Sequence, residues 1–188
     1  MQFAFGIFLI SFSFQVNIME TLYHVDKNDR IIGKVDRKTA HEKGILHRSG
    51  IVFLFNSEGK VLITHRSPNK ETFPDRYDAS AAFHVRYGES YMQAAKRELK
   101  EETGISARVH YVGKFVHHDE PEHEFVAVFT AHTDKRIKLD ASESTSGRFY
   151  DMQQVNAIVA NSKVTPWFKL GWKLLIEKEG KQSGSKEV

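Results

Sequence analysis

The chain predicts one α+β domain, and three observations carry that reading. Residues 50–66, "GIVFLFNSEGKVLITHR", hold two apolar, β-rich runs around a polar turn. Residues 90–103 form a strongly marked, acidic helix. More β-rich runs follow it, and two helical patterns close the chain. Strands around a central helix, with helices at the end, fit a mixed layered domain. No internal repeat or second domain is evident, and 188 residues suit a single moderate domain.

Each element has its own signal. The first eighteen residues, "MQFAFGIFLISFSFQVNI", are apolar and carry no charge. They lack the basic start and small-residue cleavage pattern of a secretory leader. Their apolar core is short for a membrane span. An over-long start before Met19 is the reading adopted; a targeting segment or an extra strand or helix remains open. Residues 23–35 read as a small hairpin or edge element. Strands are expected at 51–55 and 60–65, joined by a turn at 56–59. A polar loop with two prolines follows, then a short strand at 80–85.

Ser90 is a natural N-cap for the acidic helix, Gln93 closes a capping box, and Gly104 ends it. Strands are expected at 109–116 and 125–130, with the ionisable stretch "HHDEPEHE" joining them. Helices are expected at 151–159 and 165–177, the second with Pro166 in its first turn. Trp167, Leu170, Leu174 and Leu175 would line its buried side. The domain is set at 19–178, with a polar tail at 179–188.

Composition narrows the function classes. Twenty-seven basic and 24 acidic side chains leave a net charge of +3. That bias argues against nucleic acid or a membrane surface as partner, leaving a small molecule. There is no cysteine, so thiolate metal sites, cysteine nucleophiles and disulfides are excluded. A cytoplasmic location fits that absence. A homodimer stays open, since the last helix and the apolar leader both offer surface.

The chemistry concentrates in "RELKEETGI". On a helical wheel of about 100° per residue, Glu102 falls about 40° and Glu101 about −60° from Glu98. The three carboxylates share one arc with the small Ala94. Met92, Ala95 and Leu99 form an adjacent apolar arc, and Lys96 and Lys100 point away. Like charges near a helix C-terminus repel one another, so something must offset them. Mg²⁺ or Mn²⁺, which favour oxygen ligands, would do so. A solvated acidic face with lysine partners would serve equally, and spacing alone leaves both open.

The segment resembles the Nudix box, Gly-x5-Glu-x7-Arg-Glu-aliphatic-x-Glu-Glu-x-Gly-aliphatic. Glu89, Arg97, Glu98, Leu99, Glu101, Glu102, Gly104 and Ile105 match it. Outside the box, "VDKNDRIIGKVDRKTAHEKGILHR", "RSPNKETFPDRYDASAAFH" and "HEFVAVFTA" look like the Nudix subgroup related to isopentenyl-diphosphate isomerase. The resemblance spans residue 22 to about 159. It implies an α/β/α sandwich with a mixed sheet and a central acidic loop-helix-loop. It implies Mg²⁺- or Mn²⁺-dependent hydrolysis of a diphosphate linkage in a nucleoside diphosphate derivative or similar molecule.

Residue roles follow from the same resemblance. Glu98, Glu101 and Glu102 would hold metal, with Glu89, Arg97 and Gly104 supporting the motif. Arg66 and Lys70 would face substrate phosphates. Glu102 or Glu124 would accept the proton of the attacking water. His47, His84, Glu122 and Glu124 match isomerase metal ligands, while His41 sits one residue from another such position. Ala82 replaces the isomerase's acid–base cysteine, so hydrolysis is favoured over isomerisation. No compact His-x-x-x-His pair points to zinc.

Phe83 stands at the first glycine of the box. Its ring would fill substrate space, stack on a flat substrate group, or turn away. A catalytically impaired binding module is the alternative that follows, because Asp75 and Tyr77 also depart from the subgroup's Pro-Gly-x-Trp stretch.

Overall fold

The computed structural model describes residues 20–119 and 122–184, and the side chains of 122 and 182–184 lie outside that description. The apolar leader, 1–18, therefore falls outside the described residues.

The chain opens with a hairpin, β1 (Thr21–Val25) and β2 (Ile31–Asp36), followed by a short helix α1 (Arg37–Glu42). Asp36 caps α1, its carboxylate accepting from Thr39 N at 2.9 Å. The central strand is β3 (His47–Phe55), in which every residue from 49 to 55 is buried. A continuous apolar run of this kind suits a strand covered on both faces. β3 pairs in parallel with β8 (Glu122–His132), from His47 opposite Glu124 to Phe55 opposite His132. β8 pairs antiparallel with β7 (Val109–Asp119).

The other edge of β3 divides. Residues 49–52 pair with β6 (Ala81–His84), whereas Phe55 pairs with Val61 of β4 (Val61–Arg66). β4 also pairs with β5 (Tyr77–Asp78) and β9 (Ser144–Tyr150). The result is a mixed seven-stranded sheet.

Helices cover both faces. α2 (Tyr91–Thr103) packs on one, over Val52, Leu54, Ala81, Phe83 and Phe129. The other carries α3 (Met152–Asn161) and α4 (Pro166–Gly184), which close over Ile51, Phe53, Ile63 and Val128. This is an α+β fold with a mixed sheet, as the Nudix α/β/α sandwich requires. No helix among the described residues is long and apolar enough to cross a membrane.

The capping box of α2 is formed as its sequence reads: Ser90 N donates to Gln93 Oε1 at 2.8 Å, and Gln93 N to Ser90 Oγ at 3.3 Å. Gly104 ends the helix with φ 73°, the left-handed region that favours glycine.

Several expectations are corrected. The "HHDEPEHE" stretch is largely strand, because β7 and β8 extend to a pairing of Asp119 with Glu122. Alternation places His117 and Glu124 inward there, which gives a charged-looking segment a buried face. α4 runs on to Gly184, through residues assigned to a polar tail; its Lys, Glu and Gln continue a helix that Gly180 weakens without ending. Met92 and Leu170 are partly exposed, while Phe168 and Trp172 join Trp167 and Leu175 inside. α1, β5 and β9 had no apolar period to announce them.

Candidate active site

α2 delivers its carboxylates to a cleft of about 240 Å³ between the helix, the split edge of β3 and the start of α4. Glu98, Glu101 and Glu102 all line it. They differ sharply in setting. Glu101 is half exposed, Glu98 is mostly covered, and Glu102 is buried. Glu102 accepts a hydrogen bond from Ala82 N at 3.2 Å. Burial pushes its carboxyl well above the usual range, and the negative charges of Glu143, Glu98 and Asp78 push the same way. Burial also raises Glu98, against the opposing pull of Arg97.

Arg97 holds the acidic face in shape. It makes a bidentate pair with Glu89, Nε to Oε1 at 2.7 Å and Nη2 to Oε2 at 2.8 Å. Its Nη1 bonds both Glu98 and Glu101. One planar guanidinium thus fixes the loop before the helix to two of the helix's carboxylates. Charge pairing with Arg97 keeps Glu89 below the ordinary carboxylate value.

A second donor group lies on the same cleft. His41 from α1, His47 from β3, His84 from β6 and Glu124 from β8 bring their ligand atoms within 4.8 Å of one another. His47 Nε2 and His84 Nε2 each lie 3.1 Å from Glu124 Oε1, and His84 Nε2 lies 3.1 Å from His41 Nε2. Ser49 donates its hydroxyl to Glu124 Oε2 at 3.1 Å. These bonds and the histidine charges hold Glu124 well below its ordinary value despite its burial. Burial lowers His84, and it lowers His41 to about 4, with His84 and His47 adding to the effect.

The hydrogen-bond inventory tests whether a metal ion fits. His47 Nδ1 lies 2.8 Å from the carbonyl of Ile45, which can only accept. His47 therefore faces Glu124 through Nε2 alone, which donates to the carboxylate when the ring is protonated and offers a lone pair to a metal when it is neutral. A bond from the other ring nitrogen to a backbone carbonyl is how metal-binding imidazoles are oriented. A divalent cation would satisfy the converging lone pairs and the carboxylate together. Of the two ions expected, the imidazole-rich set suits Mn²⁺ better than Mg²⁺, and the all-carboxylate face of α2 suits either.

Arg66 and Lys70, the cations expected at the phosphates, both line the cleft, and each is already paired with an acid. Arg66 is buried, with Nη1 donating to Asp78 Oδ2 at 3.0 Å, Nη2 to Thr72 O at 3.0 Å and Nε to Phe73 O at 3.1 Å. Its guanidinium also lies over the Trp167 ring, 5.5 Å from the centroid. It braces the proline loop and the cleft wall. Lys70 pairs with Glu143 at 2.6 Å. Two arginines that sequence reasoning passed over, Arg37 and Arg86, line the cleft, and both reach Glu20. Position alone marks them, because neither belongs to the box.

Phe83 borders the cleft, but its ring turns away into the core, one of the three placements expected for it. It is 6% exposed, and its ring belongs to the core beneath α2. It sits in ordinary strand backbone, since the positive-φ residues do not include it. Glu122 pairs with Asp119 through its backbone, and its side chain lies outside the description.

The family model for the NUDIX domain matches residues 45–168. The chain is 33% identical over 156 residues to an isopentenyl-diphosphate Delta-isomerase of Serratia proteamaculans, covering 79% of this chain and 87% of that one. It is 34% identical over 131 residues to an uncharacterized Nudix hydrolase of Pseudomonas aeruginosa, covering 69% and 78%. A crystal structure of a Deinococcus radiodurans protein shares the fold, with TM-score 0.70, 24% identity and coverage of 85% and 99%. Since the family match takes in β3, the acidic helix and every donor named above except His41, the chain belongs to the Nudix family, and its cleft is a site for divalent-metal-assisted hydrolysis of a phosphoanhydride.

Proposed function

We propose that the substrate is a nucleoside diphosphate derivative or a similar small diphosphate, bound across the cleft between α2 and the histidine group. The observation that carries this reading is the gathering of Glu98, Glu101 and Glu102 on one wall, braced by Arg97, opposite a His₃Glu cluster. Glu98, Glu101 and Glu102 would hold Mg²⁺ or Mn²⁺ on the helix face; His41, His47, His84 and Glu124 would hold a divalent ion on the sheet side. Such ions neutralise a diphosphate and make a bound water more acidic. Glu102 accepts the proton of the attacking water. Glu124 is engaged instead by His47, His84 and Ser49, which leaves Glu102 as the base.

One domain over 19–178, a cytoplasmic location, no nucleic-acid partner and a possible homodimer complete the proposal. Its test is turnover of a panel of nucleoside diphosphate derivatives with Mn²⁺ or Mg²⁺. No metal-dependent release of phosphate-containing products from the whole panel would reject it.

A second reading, isopentenyl-diphosphate isomerisation, is favoured by the His₃Glu cluster and by relatives bearing that name. Against it, Ala82 stands where the resemblance places the acid–base cysteine, and a methyl group transfers no proton. Deuterium uptake from solvent into isopentenyl diphosphate would reinstate it.

A further inference from the structure

Arg86 stands at the mouth of the cleft with a fixed main chain and a loose head. Its backbone forms a bridge with Leu22, and its N–H donates to Glu89 Oε2 at 3.3 Å. Its side chain is 46% exposed. Nε donates to Glu20 Oε1 at 3.3 Å, while Nη2 lies 4.0 Å from both Glu98 Oε1 and Glu101 Oε2. Those two distances are beyond a hydrogen bond. The head is drawn to the carboxylates by charge and is not committed to either. Arg97 behaves oppositely, being 18% exposed and directly bonded to Glu89, Glu98 and Glu101.

The two arginines therefore serve different purposes. Arg97 is a brace that stays. Arg97 bonds Glu98 Oε1 and Glu101 Oε2 from outside the cleft lining, whereas Arg86 approaches the same two oxygens from the cleft, the side a divalent ion would enter. An ion entering from the cleft would meet the Arg86 guanidinium in its path, and like charges repel. When the ion arrives the guanidinium must leave, and Glu20, which also lies 3.9 Å from Arg37, keeps it at the cleft mouth. A planar guanidinium released there finds its best partner in a phosphate.

We propose that Arg86 is an exchange cation: it neutralises Glu98 and Glu101 before a divalent ion binds, then turns to clamp the substrate's phosphates. This role rests on the hydrolase reading above. Arg86 thus opposes metal binding in the free protein and supports substrate binding in the loaded one.

Calorimetric titration of Mn²⁺ into the full chain without substrate tests the first half, with thermal unfolding as a check on folding. Arg86→Ala should bind Mn²⁺ about tenfold more tightly than wild type, a change of about 1.4 kcal/mol. For a hydrolysed nucleoside diphosphate derivative, its KM should rise about tenfold, a larger change than in kcat. Arg86→Lys, which keeps the charge, should restore part of both effects. Unchanged or weaker Mn²⁺ binding in Arg86→Ala, or an unchanged KM, overturns the proposal. Glu98→Gln separates the two levels. If it binds Mn²⁺ like wild type, the hydrolase reading itself fails; if it binds weakly while Arg86→Ala is unaltered, the exchange role alone fails.

Discussion

The ring of Phe83 lies across Gly50, its direct partner in the β3–β6 pairing. A Cβ added to Gly50 would meet Phe83 Cζ at 2.7 Å and Ala127 O at 2.9 Å. The glycine missing from the motif is answered by a glycine on the neighbouring strand, which leaves room for the ring in the core beneath α2. Truncation to Phe83→Ala should therefore cost about 3–5 kcal/mol in denaturant unfolding, as buried aromatic truncations do. Phe83→Gly should likewise lose stability without gaining turnover. A large gain in turnover would mean that the ring obstructs the cleft after all.

Glu102 and Glu124, the two candidate bases, should separate on mutation. Glu102→Gln should lower kcat about 10²–10⁴-fold, the range for a general base. Glu124→Gln should act through its partners, since His47, His84 and Ser49 all point at it. Its clearest effect should be weaker divalent-ion binding, read by calorimetry. A kcat loss in Glu124→Gln as large as that in Glu102→Gln, measured with the metal saturating, would remove the distinction.

Acid should weaken the metal-free fold through the histidines. His41 is held down to about 4, from an ordinary 6.5, mainly by burial. The unfolded chain then binds this proton more readily than the fold does. Its contribution is complete above 6.5 and is lost as the pH falls toward 4, with His84 acting in the same direction. Glu124, lowered below its ordinary 4.5, adds a loss at still more acid pH. His41→Gln should flatten the slope of melting temperature between pH 6.5 and 4. An unaltered slope would mean that the fold does not hold His41 neutral.

Glu102 carries the opposite sign. Its raised carboxyl favours the fold while protonated, and that contribution is lost as the pH rises from 4.5 through the raised value. Glu102→Gln should therefore stabilise the metal-free protein on the alkaline side, measured by urea unfolding with a chelator present.

Asp78 ties the cleft wall to the rest of the molecule. It is 2% exposed and accepts from Arg66 Nη1 at 3.0 Å, Thr165 Oγ1 at 2.9 Å and Trp167 Nε1 at 3.0 Å. Asp78→Ala would leave a buried guanidinium without its anion, at a cost of about 3–5 kcal/mol. A shift in tryptophan emission should accompany the loss.

Much was legible along the chain because its signals are local. The α2 capping box, its Gly104 stop and the wheel position of three carboxylates depend only on neighbouring residues. So does the turn between β3 and β4. The histidine group was half legible: His47, His84 and Glu124 matched a known pattern, whereas His41 missed by one residue. α1 is a short helix that a capping aspartate places there, and a spacing count cannot allow for it.

By itself the sequence determined the acidic helix, its caps and the strands that alternate or run apolar. These follow from backbone periodicity and hydrogen bonding within a few residues. Tertiary structure alone decided which cations remain available in the cleft, because Arg66 is used by Asp78 while Arg86 is left at the mouth. It also decided that Phe83 would face the core, since that depends on Gly50, thirty-three residues earlier and opposite it in the sheet. Long-range pairing selects the partner of a charge or a ring, and one-dimensional spacing carries no record of that choice.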